Sequence, residues 1–105
     1  MTDYKIQNVD AIRDSAGQAC SMLKILANED RLMLLCQLTQ GEKNVGELEA
    51  ATNIQQPTLS QQLTILRKDN IVKIRKDGKF NYYSIASDEV IQVMQTLGSL
   101  YGCNK

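Results

Sequence analysis

The apolar positions of the chain change their period once, and that change divides it. Val9, Ile12, Ala16, Ala19, Cys20 and Leu23 recur every three or four residues, which predicts an amphipathic helix over about 6–25. Asn28 is a suitable cap for a second helix, whose buried face would be Leu32, Leu35, Cys36 and Leu38, with Gly41 ending it. Asn44 followed three residues later by Glu47 has the form of a capping box, opening a third helix that runs to about Thr52. A short turn follows, and Pro57 stands where a first helical residue is favoured. In PTLSQQLTILRKD, Leu59, Leu63 and Leu66 share the inward edge. Thr58, Ser60, Gln61, Gln62 and Thr64 form an uncharged polar face.

After Asp69 the period falls to two. IVKIRKDGKFNYYSI alternates apolar and polar residues around Asp77-Gly78, a strong hairpin signal. Ser87 then caps a last helix, with Asp88 and Glu89 in its first turn, where the helix dipole favours negative charge. Its apolar positions are Val90, Val93, Met94, Leu97, Leu100 and Tyr101. The expected architecture is mainly α with one small β-hairpin, in the order helix, helix, helix, turn, helix, hairpin, helix. That is the order of a winged helix-turn-helix. No repeat or linker interrupts it, so residues 1–105 are expected to form a single domain for DNA binding and sensing.

Charge sharpens the picture. The chain is neutral overall, yet residues 53–83 hold Arg67, Lys68, Lys73, Arg75, Lys76 and Lys79 against only Asp69 and Asp77. Residues 1–52 hold five basic and eight acidic side chains. Positive charge confined to one stretch suits contact with phosphates without general stickiness. Two short helices with a tight turn, the second polar outside, suit entry into a DNA major groove. The candidate DNA contacts are Gln56, Thr58, Ser60, Gln61, Gln62 and Arg67 on and around that helix. Arg75, Lys76 and Lys79 join them from the hairpin, which would lie along the backbone or in a minor groove. Each feature singly also fits an ordinary solvated face. Their order and the segregated charge favour double-stranded DNA as partner.

No apolar run is long enough for a membrane span, and MTDYKIQNVDAIRD lacks the apolar stretch of a secretory signal. A cytoplasmic protein without a membrane partner is expected. Three cysteines, an odd number, do not suggest a structural disulfide framework. No C-x-x-C pair, histidine base or phosphate-cradling glycine loop supports an enzyme, and no catalytic residue or cofactor is expected.

The stretches LKILANEDRLMLLCQL and NVGELEAATNIQQPTLSQQLTILRKDNIVKIRKDGKFNYYSI, with the terminal helix, resemble an ArsR-family repressor. The resemblance implies a homodimer released from operator DNA by a chemical signal, with the first and last helices forming the interface. The seam expected there is Val90, Val93, Met94, Leu97 and Tyr101. Many members of that family carry a histidine where this chain has Gln62. Many also sense metals, but this chain has no histidine, no cysteine in NVGELEAATN, and no second well-placed carboxylate near Asp88. No metal site is therefore expected, and an arsenite or soft-metal site built on cysteine thiolates stands as the alternative.

The pair Cys36 in LMLLCQL and Cys103 in LYGCNK resembles the dithiol of the biofilm growth-associated repressor group, whose members sense persulfides. The resemblance implies that Cys36 and Cys103 are the redox-sensing residues and that reactive sulfur species are the inducer. Gly102 separates Tyr101 from Cys103 where relatives often have the two adjacent. Cys20 is expected to be structural within the first helix, with an accessory role in the thiol chemistry as the alternative. Remaining possibilities are a small thiol enzyme and a constitutive DNA-binding protein with inert cysteines.

Overall fold

The computed structural model describes residues 8–102. In chain order the elements are α1 (Val9–Leu26), α2 (Glu29–Leu38), β1 (Lys43–Asn44), α3 (Val45–Thr52), α4 (Thr58–Lys68), β2 (Val72–Asp77), β3 (Phe80–Ile85) and α5 (Asp88–Tyr101). This is a winged helix-turn-helix, with five helices as expected and one strand more than the sequence pattern gave. Strand β1 has only two residues, too few to show alternation. It pairs antiparallel with β3, Lys43 opposite Tyr83, so the sheet runs β1-β3-β2.

The expected caps form. Asn28 Oδ1 accepts from the Arg31 N–H at 3.0 Å. Asn44 Oδ1 and the Glu47 carboxylate exchange backbone N–H bonds reciprocally at 2.9 Å each. Ser87 Oγ accepts from the Val90 N–H. Pro57 occupies the cap of α4 instead of its first turn, one position earlier than expected. The hairpin turn also shifts by one: Asp77 pairs with Phe80, leaving Gly78 and Lys79 at the tip, and Gly78 takes the left-handed φ of 62° the turn requires.

The core gathers around α2 and α4. Leu34, Leu35, Leu48, Leu59, Leu63 and Leu66 are sealed from water, with Ile71 and Val72 closing one side and Leu26 another. Leu34 is the buried residue of α2 that the periodicity missed. Val90 and Met94 belong to this same core, at 0% and 1% exposure. Both were expected in a dimer seam, and both are instead spent within the chain. Val93 and Leu97 are half-buried against the core, while Leu100 and Tyr101 stand 69% and 81% exposed. The outward apolar surface of α5 is therefore its last turn.

Helix α1 is different. Its 18 residues span about 27 Å, and the molecule is elongated to 52 × 27 × 22 Å. Only its C-terminal end packs, through Met22, Ile25 and Leu26. Val9, Ile12 and Leu23 are exposed, and so is Cys20. Among the described residues, no helix is long and apolar enough to cross a membrane.

Candidate nucleic-acid interface and thiol site

Helices α3 and α4 are joined by Asn53–Pro57. Asn53 leaves α3 in the left-handed conformation at φ 62°, its N–H donating to Glu49 O at 2.8 Å. Ile54 then drops into the core and fixes the turn. Thr52, buried in the same corner, donates its hydroxyl to Leu48 O and accepts from the Ile54 N–H. With Leu59, Leu63 and Leu66 facing inward, α4 leaves Thr58, Ser60, Gln61 and Thr64 toward solvent. Arg67 and Lys68 are exposed in its last turn.

Three of the expected contact residues are already engaged within the chain. Gln56 is exposed, but its Oε1 accepts from the Ser60 N–H at 3.0 Å. It supplies the cap that Pro57 cannot. Gln62 is half-buried: Arg31 Nη1 donates to its Oε1 at 3.0 Å, and its Nε2 donates to Asn28 Oδ1 at 3.3 Å. It points back at α2, away from the polar face. Arg75 is held by Glu42, as its Nη2 and Nε donate to Oε1 at 2.6 and 3.0 Å. These bonds hold the Glu42 carboxyl below the usual carboxylate range and the Arg75 guanidinium above its own. Arg75 also lies over the ring of Tyr82, its direct cross-strand partner, at 4.9 Å. Lys76 and Lys79 are exposed, Lys79 Nζ standing 5.7 Å from the Phe80 ring at the tip.

The surface left open is thus Thr58, Ser60 and Gln61 on α4, with Arg67, Lys68, Lys76 and Lys79; Thr64 stands beside them, its hydroxyl donating to Ser60 O at 2.8 Å. Hydroxyls and an amide in a convex row, flanked by cations, can bond base edges while the cations take phosphates. Sequence reasoning missed Glu42 and Arg31. Each pairs with a residue more than thirty positions away, which no local pattern reveals.

Cys36 is half-buried on α2, its carbonyl accepting from Thr39 Oγ1 at 2.6 Å. It lines an apolar groove of about 270 Å³ between α2 and α5, with Leu32, Met33, Met94, Leu97 and Tyr101. Helix α5 ends there: Gly102 turns left-handed at φ 84°, its N–H donating to Gly98 O at 2.7 Å. Cys103 lies outside the described residues. Among the described residues, no three His, Cys, Asp or Glu side chains cluster as metal ligands would.

The family model described as bacterial regulatory protein, arsR family, matches residues 28–73, from the cap of α2 into β2. The chain is 44% identical over 91 residues to the biofilm growth-associated repressor of Agrobacterium fabrum, covering 87% of this chain and 78% of that one. A structure of the transcriptional repressor BigR from Xylella fastidiosa superposes with a TM-score of 0.82 at 37% identity, covering 90% of this chain and 97% of that one. The transcriptional activator HlyU of Vibrio cholerae is 37% identical over 94 residues, covering 90% of this chain and 87% of that one. Its reduced form superposes with a TM-score of 0.85 at 36% identity, covering 89% and 98%.

Proposed function

Because the chain belongs to the arsR family of bacterial regulatory proteins, we propose that it is a cytoplasmic transcriptional repressor that binds operator DNA as a homodimer and releases it when Cys36 and Cys103 are bridged by sulfur. DNA would be read by the open row of α4, Thr58, Ser60 and Gln61. Arg67, Lys76 and Lys79 would hold phosphates. Dimerisation would cover the apolar stripe of α1, which the chain alone leaves in water, together with the last turn of α5.

The observation that supports the thiol switch is the groove. Cys36 lines it, and so does Tyr101, two residues before Cys103. The last described turn of α5 stands against the groove that holds Cys36. The chemistry is a thiol exchange. Each cysteine thiolate takes the terminal sulfur of a persulfide, R–S–S–H, and releases R–S⁻. The terminal sulfur of one protein persulfide then attacks the inner sulfur of the other, expelling HS⁻ and leaving Cys–S–S–S–Cys. A direct disulfide needs Cα atoms within roughly 7 Å, whereas a bridge with added sulfur spans more. Separation would then select persulfide over peroxide. Bridging ties α5 to α2 and biases the two reading heads of a dimer, whose half-sites lie about one helical turn apart.

The reduced protein is treated with a persulfide donor and, separately, with hydrogen peroxide, and the intact chain is weighed. The expected result is added sulfur after the first treatment, with the Cys36 and Cys103 peptides joined in the digest and DNA released. An unmodified mass, or modification confined to Cys20, sinks the switch.

A further inference from the structure

Arg31 is the third residue of α2, where a cation opposes the helix's own dipole, and among the described residues it makes no ion pair. Its side chain serves other elements instead. Nε donates to Ile25 O at 2.6 Å and Nη2 to Lys24 O at 3.5 Å, two carbonyls from the last turn of α1 that have no partner within the helix. Nη1 donates to Gln62 Oε1 at 3.0 Å, in the middle of α4. The other end of the Gln62 amide donates to Asn28 Oδ1, the oxygen that caps α2. One guanidinium therefore joins the end of α1, the start of α2 and the centre of α4.

We propose that Arg31 is a positioning residue for DNA binding, acting through Gln62: it fixes the recognition helix α4 to the C-terminal end of α1, so that Gln62 sets the helix's angle and reads no base. The proposal rests on the DNA-binding reading above and deepens it. The planar fork suits this role, since its donors diverge rigidly toward different acceptors. Gln62 follows directly on Gln61 and stands one turn beyond Thr58, two of the outward residues of α4. A rotation of the helix that breaks the Arg31 bond displaces both. With α1 as the dimer helix, the same bond sets how far each reading head sits from the two-fold axis, and half-site spacing tolerates little error there.

The test uses a duplex enriched from a random-sequence pool by the reduced wild-type chain, with binding followed by fluorescence anisotropy. Gln62→Leu and Arg31→Met are each expected to weaken binding about tenfold, the effect of losing one charge-assisted hydrogen bond. The double variant is expected to bind no more weakly than the weaker single one, because both break the same link. Gln62→Glu keeps an acceptor for Arg31 and is expected to bind within about threefold of wild type, although it adds a negative charge. A pool selected by Gln62→Leu is expected to return the wild-type base preferences.

A base-reading Gln62 gives the opposite pattern. Preference relaxes at one base pair in the Gln62→Leu pool, and Gln62→Glu binds as badly as Gln62→Leu or worse. Either result overturns the proposal, as do additive losses or unchanged affinities. Circular dichroism melting checks each variant; where Arg31→Met does not fold, the contrast between Gln62→Leu and Gln62→Glu decides alone. A wild-type chain that enriches no duplex defeats the DNA-binding reading itself, and this proposal with it.

Discussion

Arg75 on the wing and Glu42 in the loop after α2 form a two-pronged pair, with Arg75 Nη2 2.6 Å and Nε 3.0 Å from the same carboxylate oxygen. Both side chains are exposed. The pair is therefore weak in water and open to competition. A DNA phosphate offers Arg75 a competing anionic acceptor that the guanidinium can also grip with two N–H bonds, and the Glu42 carboxylate beside it repels that phosphate. Glu42 then acts as a brake on the wing. Glu42→Gln is expected to raise DNA affinity severalfold and to steepen its salt dependence by about one counterion. The fold should melt at an unchanged temperature. Affinity that stays level or falls in salt titrations would show that Glu42 instead holds the wing in its binding pose.

The same pair sets a pH response. Hydrogen bonding from Arg75 is the main reason that the Glu42 carboxyl lies below its ordinary value of 4.5. A depressed carboxylate contributes stability above its unfolded value, and that contribution is lost as pH falls through the folded value. The pair should thus be intact at neutral pH and open only below the usual carboxylate range. Carboxyl carbon shifts followed by NMR should place the Glu42 midpoint below 4.5 in the wild type and return it to the ordinary value in Arg75→Ala. Identical midpoints would mean that the two residues do not pair in solution.

The two sides of α5 should separate on substitution. Met94 is sealed in the core, so Met94→Ala should cost about 2–5 kcal/mol in urea unfolding. Leu100 is exposed beside Tyr101, so Leu100→Glu should leave the monomer fold intact and weaken self-association in sedimentation. A Leu100→Glu chain that remains as associated as wild type would take the interface off the last turn of α5 and leave it to α1. A Met94→Ala chain of unchanged stability would contradict the core described above.

That contrast also shows where sequence reading stops. The stripe Val90–Val93–Met94–Leu97–Tyr101 was visible as a helical face, but spacing does not say which body the face meets. Val90 and Met94 meet their own chain, and only the last turn is left for another. The inward edge of α4 was legible because Leu59, Leu63 and Leu66 keep helical spacing beneath an unbroken polar face. The caps Asn28, Asn44 and Ser87 were legible because each bond closes within three residues. Strand β1, the Arg31–Gln62 link and the Arg75–Glu42 pair depend on residues brought together from more than thirty positions apart. Local pattern carries no signal for them. For the same reason Gln62 and Arg75 were expected to face DNA, while the fold engages each with a distant residue first; Gln56 is engaged locally, by the Ser60 N–H four residues on.

The two described cysteines should differ in reactivity. Cys20 is exposed on α1, whereas Cys36 is half-buried in the groove against Met94, Leu97 and Tyr101. The side chains of the groove leave a reagent less room to reach Cys36 than Cys20. In a Cys103→Ser chain, where only these two compete, iodoacetamide should alkylate Cys20 at least about tenfold faster, read by peptide mass spectrometry. The DNA response should run the other way. Cys20→Ser should keep persulfide-driven release, while Cys36→Ser should abolish it and hold reduced-state affinity within about threefold. Equal alkylation rates would mean that the groove opens in solution. Release that survives in Cys36→Ser but fails in Cys20→Ser would transfer the sensing role to α1, on the surface proposed for the dimer.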